Sequence, residues 1–321
     1  MIVKNEPLGE PINAVIFGGS NVTKSLILTK AALELARSME QFNVVRICET
    51  SRAGMHSPAR RALRRAMQRL VKVSDDGPLV DRPLMTLKGL ARRYRVEFCT
   101  PPNRNANHPS VYSDLPSTKG INLALCVGCA QLFGPQLLDA FDACVNLHDG
   151  ALPAYRGRLV TQWSVYHGET QSGFTYHYMV KEVDAGRVLL QDSVPIGNKS
   201  IGRLQLEKSH RSSLQLPRVI AAIGRRDLGV PQEGAVKIYT KSDAREMICI
   251  EELSGFPFDE VRRRLRAFGR IQVKVQGQYY NVVSLRNDRQ QASGSRVLTT
   301  RDGVMVGLSA RLGQAVLTRL S

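Results

Sequence analysis

The sequence predicts an α/β protein in two parts, an open and mostly parallel sheet followed by a small β-rich barrel. Three observations carry this. Apolar strand-like runs alternate with helical runs up to about residue 225, the pattern of an open α/β sheet. The segment 121–127, INLALCV, is almost wholly apolar, as a central parallel strand covered on both faces should be. Past about residue 230 the chain changes to short alternating runs divided by glycine turns, the texture of a small barrel or sandwich. The expected units are 1–228 and 229–321.

Along the chain, INAVIF (12–17) is a short apolar strand, followed by the turn GGSN and a helical run from Val22 to Glu40. Strand, glycine turn and helix together open an α/β unit. NVVRICE (43–49) predicts the second strand. LMTLKGLARRY (84–94) predicts a helix leading into VEFC (96–99), PQLLDAF (135–141) a short helix, and ACVNLH (143–148) another buried strand. Two strand-like runs flank the DAG turn at 184–186. In the last part GVPQEGAVKIYTK, IQVKVQGQYYNVVSLR, RVLTTRDGVMVGLS and QAVLTRL predict short strands, with one helix, DEVRRRLRAF (259–268), among them. The polar stretch RNDRQQASGSR (286–296) predicts a loop.

Composition narrows the function classes. At 321 residues with 43% hydrophobic content the chain can bury a large core, and no apolar run approaches the ~20 residues a bilayer needs. The N-terminal MIVKNEPLGEP has no signal-peptide core, and six cysteines scattered in apolar segments suit buried thiols in a reducing compartment. The expected location is cytoplasmic. Lys and Arg outnumber Asp and Glu by 45 to 28, a net charge of +17, which attracts polyanions such as RNA and nucleotide phosphates.

Four stretches could carry chemistry. FGGSN after the first strand can present N–H groups and a helix N-terminus to an anion, or serve only as a tight turn. It is neither a GxGxxG nor a P-loop sequence, which disfavours dinucleotides and nucleoside triphosphates. SRAGMHSPARRALRRAMQRLVK (51–72) contains no acidic residue and stacks Arg60, Arg61, Arg64, Arg65 and Arg69 at i, i+4 spacing. Such a face is either solvated or a phosphate-contact surface. CVGC (126–129) lacks a second Cys/His pair at ligand spacing, so packing is expected there and no metal. The fourth is VNLHDGALPAYRG (145–157). Asn146 and His148 close a buried strand and, two apart, point the same way. Ligands of open parallel sheets bind at such carboxyl ends. An amide and an imidazole can stabilise an oxyanion there, and Asp184 in the DAG turn is the natural carboxylate to orient the histidine.

Together these residues resemble the 10-formyltetrahydrofolate-dependent formyltransferases, which include glycinamide ribonucleotide, methionyl-tRNA and aminosugar formyltransferases. That family ends its central strand in Asn-x-His, follows it with a proline-containing LLP.YRG segment, and continues to a G-[TV]-[TS] strand and an Asp-x-Gly turn. Asn146, His148, Leu152, Pro153, Tyr155, Arg156 and Gly157 match the first part; Gly173, Thr175, Asp184 and Gly186 match the second. The resemblance implies a Rossmann-like sheet over about residues 12–225 and an OB-like barrel over 235–321. It implies Asn146, His148 and Asp184 as catalytic residues, with 10-formyltetrahydrofolate as formyl donor and no metal. It sets the folate against Val127, Gly128, Cys129 and Leu132 and against the backbone of Val183, Ala185 and Gly186. It sets Gly18, Gly19, Ser20 and Asn21 where glycinamide ribonucleotide formyltransferases hold a substrate phosphate. Arg64, Arg65, Arg156 and Thr175 fall on the acceptor side, Thr175 with a water of the proton relay.

The acceptor stays open between two classes. The aminoacyl end of tRNA is favoured by the +17 charge, the arginines of 60–69 and the Arg262-Arg263-Arg264 run. A phosphate-bearing small amine, such as a nucleotide-linked aminosugar, is favoured by two departures from the methionyl-tRNA pattern. These are RLVTQW after YRG, and Asp149 in HDGALP. Expected partners are therefore folate and either tRNA or a small amine.

Overall fold

A computed structural model describes residues 9–20, 22–50, 86–115, 120–286, 296–299 and 305–308. Strand β1 (Ile12–Gly18) passes through the glycine turn into α1 (Thr23–Ser38) and β2 (Phe42–Glu49). Then come α2 (Leu87–Tyr94), β3 (Glu97–Cys99), β4 (Ile121–Cys126), α3 (Pro135–Asp139) and β5 (Ala143–His148). They are followed by β6 (Arg156–Gly157), α4 (Val160–Tyr166), β7 (Gln171–Tyr178), β8 (Val188–Pro195) and α5 (Ile201–Gly224). The chain clusters into two compact units. The first is Met1–His148, Phe174–Asp192 and Gln205–Glu233; the second is Asp149–Gly173, Ser193–Leu204 and Gly234–Ser321.

Seven strands form one sheet in the order β3-β2-β1-β4-β5-β7-β8. Pairing is parallel from β3 through β5, and β7 runs antiparallel to β5. This is the α/β sheet that the apolar runs predicted. Side-chain alternation explains those runs, because both faces are covered. Ile12, Ala14 and Ile16 of β1 join the core with Leu28, Leu123, Val145, Tyr176 and Ile220. Val15 and Phe17 enter the other core with Cys48, Ala124, Cys126 and Leu137. Phe17 packs against Phe133 and Phe141 at ring distances of 4.9 and 6.1 Å. Strand order reverses between β1 and β4, which makes the crevice beyond their carboxyl ends the expected ligand position in such a sheet.

In the second unit β9 (Ile238–Tyr239) pairs with β6, followed by α6 (Lys241–Ile248), β10 (Cys249–Ile250) and α7 (Phe258–Phe268). Strands β11 (Gln272–Val275), β12 (Gln278–Arg286), β13 (Arg296–Thr299) and β14 (Met305–Leu308) complete a five-stranded sheet, β10-β11-β12-β14-β13. Its core holds Ile250, Val261, Ile271, Val273 and Tyr280.

Three helices depart from the sequence reading. GVPQEGAVKIYTK is extended only at Ile238–Tyr239, because Thr240 opens α6 with a capping box. The Thr240 side chain accepts from the Asp243 N–H at 3.2 Å, and the Asp243 carboxylate accepts from the Thr240 N–H at 2.7 Å. The sequence VTQWSVY of α4 is β-branched and aromatic, and its helix comes from tertiary packing rather than propensity. In α5 the serines and the internal Pro217 mask the helical period. That helix supplies Leu216, Val219, Ile220 and Ile223 to the first core. The QAVLTRL stretch and the arginine-rich segment 51–72 lie outside the described residues.

The strand β7, which carries half of the candidate site, is held to α5 by a buried bond from the Tyr176 hydroxyl to the Ser212 carbonyl, 2.9 Å. Tyr176→Phe should lower the unfolding free energy by about 0.5–1.5 kcal/mol, the net worth of one buried hydrogen bond. Urea denaturation with an unchanged m-value checks this, and no loss of stability would contradict it.

Candidate active site

The antiparallel register of β5 and β7 sets Asn146 opposite His177 and His148 opposite Thr175. Directly paired residues point to the same side of a sheet, and residues two apart do too. These four side chains therefore share one face. Their neighbours Val145, Leu147, Phe174 and Tyr176 fill the core on the other face. Asn146 and His148 stand together as the alternation requires.

His177 was not among the sequence candidates. Its Nδ1 lies 2.8 Å from the carbonyl oxygen of Tyr178, which can only accept, so Nδ1 carries the proton. In the neutral ring Nε2 is then the acceptor, and the Asn146 amide donates to it at 3.2 Å. The carboxylate of Asp184 faces both imidazoles, 3.4 Å from His148 Nδ1 and 3.5 Å from His177 Nε2. The His148 and His177 rings meet edge-on at 6.2 Å. Both histidines are buried, and the Asp184 side chain is 14% exposed. Thr175 is fully buried and its hydroxyl accepts from Gln191 Nε2 at 3.0 Å. In the sequence His177 stands two residues beyond Thr175, a spacing that gains meaning only once β7 is paired with β5.

The DAG turn has a physical reason for each end. Asp184 adopts a left-handed backbone, φ +50°, which Asp tolerates better than most residues. At Gly186 a Cβ would lie 1.9 Å from the Tyr178 carbonyl oxygen, so only glycine lets the turn fold back on β7. Gln232 then clamps the turn, donating from Nε2 to the carbonyls of Asp184 and Gly186 at 2.8 and 2.7 Å. Of the other turn residues predicted to meet folate, Val183 and Ala185 are half-exposed.

At the switch point, Ser25 ties the glycine turn to the loop after β4. Its hydroxyl donates to the Val127 carbonyl at 2.5 Å and accepts from the Gly19 N–H at 3.1 Å. Gly128 has φ +107° and would put a Cβ 2.7 Å from the Ser25 hydroxyl, so this loop also requires its glycine. Lys24, unmarked by any motif, donates to the Leu147 carbonyl at 3.0 Å, between Asn146 and His148. In the predicted folate loop Val127 is buried, Cys129 is half-buried, and Leu132 is 67% exposed.

Cys126 packs in the second core. A hydrogen bond from its thiol holds Cys129 down to about 7 against the opposing effect of burial, with further help from Thr50 and the Gln131 backbone.

Arg156 lies on β6 in the second unit, where its N–H donates to the Lys237 carbonyl. Arg262, Arg263 and Arg264 pair with Asp259 and Glu260 at 2.9, 3.7 and 2.7 Å. Asn21, Arg64 and Arg65 lie outside the described residues. Among the described residues no group of three His, Cys, Asp or Glu side chains could hold a metal, and no helix is long and apolar enough to cross a membrane.

The cysteine pair gives a pH-dependent prediction. The alkylation rate of Cys129 by iodoacetamide should rise with pH and level off above about 7, since the thiolate is the nucleophile. Cys126→Ala removes the bond that stabilises this thiolate and should move the midpoint upward. Peptide mapping by mass spectrometry checks both, and an unmoved midpoint would contradict the assignment.

The formyl transferase family model matches residues 91–219. A GDP-perosamine N-formyltransferase of Brucella melitensis is 30% identical over 144 residues, 44% of this chain and 56% of that protein. A methionyl-tRNA formyltransferase of a Synechococcus strain is 26% identical over 178 residues, 54% of this chain and 55% of that protein. The chain thus spans about half the length of these curated relatives. An N-formyltransferase from Helicobacter canadensis, solved in complex with folinic acid and dTDP-3-aminofucose, superposes with a TM-score of 0.56. It shares 12% identity over 94% of this chain and 99% of that one, a likeness of fold. The chain is thus similar to formyl transferases over residues 91–219, and to sugar and methionyl-tRNA formyltransferases over about half of its length.

Proposed function

We propose that the chain transfers a formyl group from 10-formyltetrahydrofolate, its donor substrate, to a primary amine. The observation that carries this reading is the Asp184 carboxylate shared by His148 and His177, with Asn146 on the same face. As the amine attacks the formyl carbon, negative charge develops on the formyl oxygen. The Asn146 N–H and a protonated His148 stabilise that charge. Asp184 favours the charged form of His148 and helps move the proton from the attacking amine to the leaving nitrogen, directly or through a water held near Thr175. His177, anchored to the Tyr178 carbonyl, orients the Asn146 amide. The donor lies along Gly128, Cys129 and Leu132 and along the turn Val183–Gly186. The exposed Leu132 gives a flat ring an apolar wall, while the buried Val127, bonded through its backbone to Phe17 and Ser25, anchors the loop.

For the acceptor we favour the aminoacyl end of methionyl-tRNA, supported by the +17 charge and by methionyl-tRNA formyltransferases among the relatives. One observation supports a second reading, a nucleotide-linked aminosugar. The Arg262–Arg264 run is already paired within its own helix, which takes away part of the basic surface that tRNA would need.

His148→Ala and Asp184→Ala should each lower formyl transfer by about 10²–10⁴-fold while the protein stays folded by circular dichroism. Near-normal turnover in both variants would contradict the mechanism. Charged tRNA and an aminosugar nucleotide, assayed side by side as acceptors, separate the two readings. Binding of tRNA should weaken steeply between low and moderate salt, and a flat response would favour the small amine.

A further inference from the structure

The glycine turn is the segment a phosphate would be expected to occupy, yet its described N–H groups are already engaged. The Gly19 N–H donates to the Ser25 hydroxyl at 3.1 Å, and the Val22 N–H donates to the Gly19 carbonyl at 3.0 Å. The Ser20 N–H donates to a carboxylate, Glu49 Oε1, at 3.1 Å. Glu49 closes β2, beside the switch point, and its other oxygen lies 3.4 Å from Arg104 Nη1. Both charged partners are fixed at the backbone. Gln131 Nε2 donates to the carbonyls of Thr50 and Arg104 at 2.6 and 2.7 Å. Arg104 itself sits in the left-handed region, φ +54°, next to Asn103 at φ +51°, a conformation that non-glycine residues hold only where the surroundings enforce it.

A carboxylate at this point changes what the turn can take. A phosphate oxygen approaching the Ser20 N–H would meet Glu49 at close range, anion against anion. An ionised carboxylate only accepts, and each oxygen has lone-pair capacity beyond one bond. The ligand groups that suit it are neutral donors, and two adjacent hydroxyls match its two oxygens. In open α/β sheets a carboxylate near the glycine turn serves a ribose in this manner.

We propose that Glu49 forms a sugar-hydroxyl subsite, accepting from adjacent ring hydroxyls of the formyl acceptor, and that the glycine turn beside it holds no phosphate. This rests on the formyl-transfer reading only for the word acceptor. Binding itself does not require turnover.

The test is isothermal titration calorimetry on the full chain, with and without Glu49→Gln. One arm compares adenosine with 2′,3′-dideoxyadenosine, a probe of the vicinal diol alone. The other compares an aminohexose nucleotide carrying adjacent ring hydroxyls with its deoxy analogue. In one arm the wild-type protein should prefer the hydroxylated probe by about 10- to 100-fold, the range of a hydrogen bond to a charged group. Glu49→Gln should shrink that preference severalfold while the deoxy probe binds as before, which also shows the variant to be folded. Inorganic phosphate should not compete. Equal binding of the members of both pairs, or competition by phosphate, would overturn the proposal, and the wild-type comparison decides this even if the variant fails to fold. Discrimination without formyl transfer would instead count against the catalytic reading and leave the subsite standing.

Discussion

One carboxylate facing two buried imidazoles sets the terms for the rest of the first unit. Asp184 lies within 3.4–3.5 Å of a nitrogen of each ring, and a largely enclosed carboxylate needs a donor such as the His148 Nδ1–H beside it. It can be there because three independent features converge. The β5/β7 register delivers His148 and His177 to one face, the lack of a Cβ at Gly186 lets the turn close on Tyr178, and Gln232 holds two carbonyls of that turn. Two of these are backbone matters, and the third is a side-chain clamp on the backbone. The polar groups of the candidate site are thus placed by rigid strands and a clamped turn.

The same sheet explains why chemistry gathers at its carboxyl edge. Both faces are buried under cores that use alternate residues of every central strand, so a ligand can reach polar side chains only where strands end. Asn146 and His148 end β5, Glu49 ends β2, and the turn after β1 and loop after β4 flank the switch point between them. Ser25 links that turn to that loop through Gly19 and Val127. Lys24, one residue earlier, reaches the Leu147 carbonyl. The first turn of α1 is therefore a joint among three strand ends rather than an open anion cradle.

Much of this was legible in the sequence, and the misses have physical causes. The apolar runs and the two-residue spacing of Asn146 and His148 follow from the period of a strand, which sequence shows directly. Asp184 was legible because its turn needs a glycine two residues on. His177 was not, since a lone histidine in a buried strand reads as a core residue until the register of the partner strand is known. The role of Glu49 depends on where β1 and β2 end relative to each other, a tertiary fact. Pro217 and paired serines hid α5, and β-branched residues hid α4. In both helices packing outweighs local propensity.

The central claim is that the charge of Asp184 acts on His148. Nitrogen-15 NMR of the histidine side chains, followed across pH in the wild-type chain and in Asp184→Asn, tests this most directly. Removing a carboxylate that stabilises the imidazolium should make His148 lose its proton at lower pH in the variant. Superimposable His148 titrations in the two proteins would contradict the account.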